Sequence, residues 1–156
     1  MTKHVKFLNN KEKKELLNEI YHHWEVDLRD FFEDLIVNIS SNNKIYLIKR
    51  DIMRLDLNFE LTGSIGLYFG KKENDGIRVS IQGSQLIKDT DYKLKLDKKL
   101  AKRYYNNEKI NVSDLNYKQN PYLLVTYEDL ILGCDKVKNG KIINYVNKNI
   151  SGTTLF

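Results

Sequence analysis

Residues Leu61 to Ile87, LTGSIGLYFGKKENDGIRVSIQGSQLI, set the reading of the whole chain. An apolar run from Ile65 to Phe69 is followed by a polar turn, Lys71 to Gly76, and then by Ile77, Val79 and Ile81 alternating with Arg78, Ser80 and Gln82. That order is the signature of an antiparallel hairpin. Side chains alternate across a strand, so Ile77, Val79 and Ile81 are expected on a buried face, with Arg78 and Gln82 toward solvent. Glycines punctuate the stretch at positions 63, 66, 70, 76 and 83. No Lys-Ser or Lys-Thr follows them and no strand-glycine-helix order surrounds them. Neither a P-loop nor a dinucleotide fingerprint is met, and the glycines read as structural.

Upstream, Leu35, Val37 and Ile39, a polar Ser40-Ser41-Asn42-Asn43, and then Ile45 to Ile48 predict a second hairpin. Before it, Leu16, Leu17, Ile20, Tyr21 and Trp24 recur at helical spacing over residues 10 to 24, and Asn9 with Glu12 forms a capping box. Arg50 to Leu57 is expected to be a short helix leading into the central hairpin, Ser84 to Leu86 a helical turn, and Asp89-Thr90-Asp91 a linker. The first half is thus a mixed α+β domain with mainly antiparallel strands.

Downstream, Tyr92, Leu94 and Leu96 alternate with Lys93 and Lys95, a half-buried strand with a basic outer face. Asp97 caps a helix from Lys98 to Tyr105 that stops at Asn106-Asn107. Ile110 and Val112 predict a strand, and Pro121, the sole proline, precedes an apolar strand from Tyr122 to Tyr127. Leu130 to Val137 and Lys141 to Val146 flank Asn139-Gly140, the strongest turn signal in the chain. Short strands with one helix predict a small barrel.

The 156 residues, 41% hydrophobic with ten Tyr, six Phe and one Trp, suffice for a core. A single cysteine, Cys134, excludes an internal disulfide and a multi-cysteine zinc site, and its neighbours favour a packing role over a nucleophile. His22 and His23 project about 100° apart on a helix and do not comfortably share a metal ion. Asp30, Glu33 and Asp34 around Phe31 and Phe32 read as a solvated edge about a buried ring. No stretch approaches a membrane span, and the opening MTKHVKFLNNKEKK lacks the apolar core of a signal peptide. The expectation is a cytoplasmic protein without membrane contact. Residues 1–90 hold 14 Lys or Arg against 14 Asp or Glu, whereas residues 91–156 hold 12 against 7. The whole excess of +5 therefore lies in the second half, a pointer to a polyanionic partner.

The string Asn43 to Ile48 through Asp51-Ile52-Met53-Arg54-Leu55, then Gly63, Tyr68 to Lys71 and Ile77 to Ser80, resembles the N-terminal domain of the small two-domain PUA protein of large-ribosomal-subunit biogenesis. The later string, Tyr122 to Leu130 with Leu132-Gly133, Lys136, Lys138, Gly140, Asn144-Tyr145 and Lys148, resembles the PUA-like end of Sun-type RNA cytosine methyltransferases. The resemblance implies a pre-PUA α+β domain over 1–90 and a small PUA-like β-barrel domain over 91–156. Where the ribosome factor has a Tyr-Gly-Asn loop, this chain carries Tyr105-Asn106-Asn107.

On that resemblance the chain is a non-catalytic RNA-binding protein of ribosome biogenesis and RNA modification, without cofactor or metal. Its first domain contacts a protein partner, and its second grips structured RNA, rRNA or tRNA. Lys102, Arg103, Lys109, Lys136, Lys138, Lys141 and Lys148 would neutralise phosphates, and Tyr105 would stack on an unpaired base. Tyr104, at helical spacing from Leu100, belongs to the core. Two alternatives stay open: a detached recognition subunit acting in trans with an RNA cytosine methyltransferase, and a protein-interaction adaptor that binds no RNA. Relatives that methylate cytosine keep their active cysteines in Pro-Cys contexts of a separate domain, whereas Cys134 sits in Leu-Gly-Cys-Asp.

Overall fold

A computed structural model describes residues 6–50 and 66–143. The chain divides into two compact units, Met1–Asp89 and Thr90–Phe156. Residues 51–57 of the expected helix, and the start of the central stretch up to Ile65, lie outside the described residues.

In the first unit, β1 (Lys6–Phe7) leads into α1 (Asn10–Trp24). The helix starts where Asn9 accepts from the Glu12 amide at 2.9 Å and Glu12 accepts from the Asn9 amide at 3.3 Å, a reciprocal capping box. It ends at Glu25, in a left-handed conformation with φ +56°. Leu16, Ile20 and Trp24, four apart, form its buried row. Tyr21, expected with them, is 58% exposed, because one residue of helix turns it about 100° from Ile20. The short α2 (Arg29–Phe32) buries Phe32 and leaves Phe31 exposed.

Five antiparallel strands follow the sequence order β1 to β5: β2 (Leu35–Ile39), β3 (Lys44–Lys49), β4 (Leu67–Glu73) and β5 (Gly76–Val79) complete the sheet. Val37, Ile45, Leu47, Phe69, Ile77 and Val79 are buried, and Phe32 meets Phe69 edge to face at 6.1 Å. Trp24 Nε1 donates to the Ile77 carbonyl at 2.9 Å, which ties α1 to the central hairpin. Lys13 Nζ donates to the Leu35 carbonyl at 2.7 Å, and burial holds its ammonium below the usual lysine range.

The central hairpin is longer than its polar turn implied, since pairing runs from Gly70 with Val79 to Glu73 with Gly76. Ile81 is not the third residue of its buried face. It opens α3 (Ile81–Ser84) and is 45% exposed. The reason is Ser80, whose Oγ accepts from the Gly83 amide at 2.8 Å as a helix N-cap and donates to the Tyr68 carbonyl. A 3₁₀ turn, Gln85–Ile87, continues from α3.

In the second unit β6 (Lys93–Lys95) runs parallel to β7 (Leu123–Tyr127), joined through α4 (Lys98–Tyr105) as parallel neighbours require. Asp97 Oδ1 caps α4 by accepting from the Leu100 amide at 2.8 Å. β7, β8 (Leu130–Lys138) and β9 (Lys141–Ile143) then pair antiparallel, giving the order β6-β7-β8-β9. Among the described residues this sheet does not close into the expected barrel. Tyr92, Leu94 and Leu96 are buried, with Lys95 exposed between the last two, as their alternation requires. Ile110 and Val112 are buried but form no strand, only a bridge at Asn111 to Lys141. Asn111 Oδ1 accepts from the Ser113 amide at 2.9 Å, a local turn that competes with further pairing. No helix among the described residues is long and apolar enough to cross a membrane.

A Cβ on Gly83 would run into the Phe69 carbonyl oxygen, backbone that cannot swing aside. Gly83→Ala is expected to destabilise the first unit by about 1–3 kcal/mol in urea denaturation, through forced displacement of α3 from β4. An unchanged midpoint would show that α3 is free to lift.

Candidate nucleic-acid interface

The β8–β9 hairpin is shaped by its turn. Asn139 and Gly140 take φ +53° and +72°, the paired positive values of a two-residue turn whose twist matches the flanking strands. Lys138 stands directly opposite Lys141, and Lys136 opposite Ile143. Residues two apart on a strand share a face with each other and with their cross-strand partners. Lys136, Lys138 and Lys141 therefore lie on one face of the hairpin. Lys138 and Lys141 are exposed, and two like charges in register repel unless an anion lies between them. Lys136 Nζ sits over the buried Tyr122 ring, 5.0 Å from its centroid. The ring fixes the ammonium by a cation–π contact.

The α4 candidates form a second group. Lys102 is exposed on the helix and Lys109 is exposed beyond it. Arg103 is committed to structure, with Nε 3.3 Å from Glu108 and a terminal nitrogen donating to the Lys109 carbonyl at 3.1 Å. Its guanidinium holds the turn after α4 rather than standing clear of it. Tyr105 is half-buried on the last turn. In that turn the left-handed residue is Asn107, φ +59°, while Asn106 has φ −82°, open to any residue. The side chain of Asn106 thus stands in place of a glycine without backbone strain.

The two groups meet through residues 110–112. Ile142 N donates to the Ile110 carbonyl at 3.1 Å and Val112 N to the Gly140 carbonyl at 2.7 Å, which sets Lys109 next to the segment that flanks β9. Lys148 lies outside the described residues. Sequence reasoning missed Lys118, whose Nζ lies 4.7 Å from the centroid of the Tyr92 ring. It sits in a polar stretch without periodicity, so only the tertiary contact identifies it.

Behind this surface, Tyr104 is buried and its hydroxyl donates to Asp135 Oδ2. Burial, and then the Asp135 carboxylate, push the phenol far above its ordinary value, so it stays a donor at any physiological pH. Cys134 is buried beside it in β8. Among the described residues no group of three or more His, Cys, Asp or Glu is placed to hold a metal ion.

Residues 91–150 match the family model described as the methyltransferase RsmF PUA domain. The second unit is accordingly a PUA-like domain related to that of Sun-type methyltransferases, and RNA binding in general is what such a domain implies. No curated protein matches the chain.

Tyr104→Phe removes a hydrogen-bond donor from a buried carboxylate. It is expected to destabilise the second unit by about 1–3 kcal/mol in thermal or urea denaturation. A neutral effect would mean that solvent or a neighbour takes over the donor's role.

Proposed function

We propose that this chain is a non-catalytic RNA-binding protein that takes structured rRNA or pre-rRNA in ribosome biogenesis, in the cytoplasm. Its second unit grips the RNA, and its first unit, read as a pre-PUA domain, also meets a protein partner. The observation that carries the reading is the set of three lysines on one face of the β8–β9 hairpin, within the span that matches a PUA domain. A duplex or folded loop presents phosphates at a spacing such a rigid ribbon can follow, and lysine ammonium groups neutralise them without reading sequence. Lys102 and Lys109 extend the contact, Tyr105 stacks on an unpaired base, and Lys148 adds a further phosphate contact.

A second reading has its own support, since the matching family is the PUA domain of a methyltransferase. On it, the chain is a recognition subunit that presents RNA to a cytosine methyltransferase in trans. A methyl-transfer assay with and without such an enzyme separates the two.

Lys138→Ala with Lys141→Ala is expected to change stability by no more than about 0.5 kcal/mol per site, as befits exposed positions. Adding Lys136→Ala removes the contact with Tyr122 at a further cost of about 0.5–1 kcal/mol. Against a structured RNA, the triple variant should lose affinity and flatten the dependence of log K on log salt by about 2–3 units, from roughly 0.7–0.9 per phosphate. Normal binding with an unchanged slope would remove this surface as the RNA site, whereas a failure of the unsubstituted chain to bind structured RNA would favour the adaptor.

A further inference from the structure

The first unit carries no net charge over its sequence, and its sheet presents two different faces. On the α1 side of the sheet, Glu12, Glu15 and Glu19 line a groove with Ile39, Lys6 and Lys72, and the two lysines pair with Glu12 at 2.6 Å and Glu19 at 3.2 Å. The opposite face is different. Phe7 pairs with Asn38, Asn38 with Tyr46, and Tyr46 with Tyr68, a single row across β1 to β4. The next row holds Lys44 opposite Lys71 and Lys71 opposite Arg78. Because directly opposed residues share a face, three aromatic rings stand in line beside three cations.

Tyr46 and Tyr68 lie with centroids 5.4 Å apart and rings tilted by 39°, both half-buried, and Phe7 is 37% exposed. Lys44 Nζ lies 5.7 Å from the Tyr68 centroid. Glu73 lies beside the cations, 3.7 Å from Lys71 and 3.6 Å from Arg78. Burial pushes the Tyr68 phenol above its ordinary value, so the ring stays neutral.

We propose that this outer face of the β1–β5 sheet is a binding site for single-stranded RNA, with bases stacked on Tyr46 and Tyr68 and phosphates along Lys44, Lys71 and Arg78. Aromatic rings on adjacent strands next to a basic row are the elements single strands use, since unstacked bases offer π-faces and their backbone runs alongside as a line of charge. A duplex does not fit, because its bases are already stacked on one another. An acidic peptide would meet the cations but leave the ring row without a planar partner. The choice of RNA rests on the reading of the second unit. The residues are separate from the hairpin lysines.

The test uses the full chain carrying Lys138→Ala and Lys141→Ala, so that the hairpin is weakened, and a fluorescent ten-nucleotide oligouridine as probe. In that background Tyr46→Ala with Tyr68→Ala should weaken binding by about 5- to 150-fold per stacked ring, read by anisotropy. Tyr46→Phe with Tyr68→Phe, which keeps both rings, should bind within about threefold of the parent. In the unsubstituted chain, 4-thiouridine in the same oligomer should crosslink to residues of β3, β4 or β5. The proposal is overturned by undiminished binding of the alanine pair, by crosslinks confined to other segments, or by an acidic peptide displacing the oligomer at equal concentration. Loss of structured-RNA binding by the hairpin variants is scored separately, so failure of one surface does not count against the other.

Discussion

A carboxylate buried in a strand has to be met by donors, and Asp135 on β8 is met by the phenol of Tyr104 on α4. Much of the second unit follows from that one bond. It sets the side of β8 that faces α4, and strand alternation then directs Lys136 and Lys138 to the other side. The helix that carries Tyr104 is held at its start by Asp97 and beyond its end by Arg103, which reaches both Glu108 and the Lys109 carbonyl. A charge that looks unremarkable in the sequence thus orders both the helix and the basic face of the hairpin.

Elements governed by local chemistry were legible before any coordinates. The capping box at Asn9, the Asp97 cap, the Asn139-Gly140 turn and the alternation about Leu94 all appear where side-chain chemistry requires them. The departures arise where a tertiary contact competes with local pattern. Ile81 continues a period of two in the sequence, yet the Ser80 cap and the contact of Gly83 with Phe69 convert it to the first residue of a helix. Ile110 and Val112 are buried as a strand's inner residues would be, but Asn111 turns its amide on its own backbone and ends the pairing.

The candidate site was legible in part and for a clear reason. Lys136, Lys138 and Lys141 surround a turn whose geometry is encoded by two residues, so their common face could be inferred from spacing alone. Arg103 and Lys118 could not be placed that way, because their partners, Glu108 and Tyr92, are chosen by loops without periodicity. Net charge misleads in the same manner. The balance over the first unit conceals a row of cations on one face of its sheet, and only register brings Lys44, Lys71 and Arg78 together.

Trp24 is the sole tryptophan of the chain, fully buried in the first unit with its indole nitrogen bonded to the Ile77 carbonyl. Indole emission therefore reports on that unit alone, while the second unit contains only tyrosines and phenylalanines as native fluorophores. Excitation at the red edge of tryptophan absorption follows the loss of the α1–β5 contact without interference from the PUA-like unit. Circular dichroism follows both units together. Where two units unfold at different denaturant concentrations the two signals part, and where they unfold as one they coincide. The placement of one ring makes the chain its own gauge of cooperativity between the units.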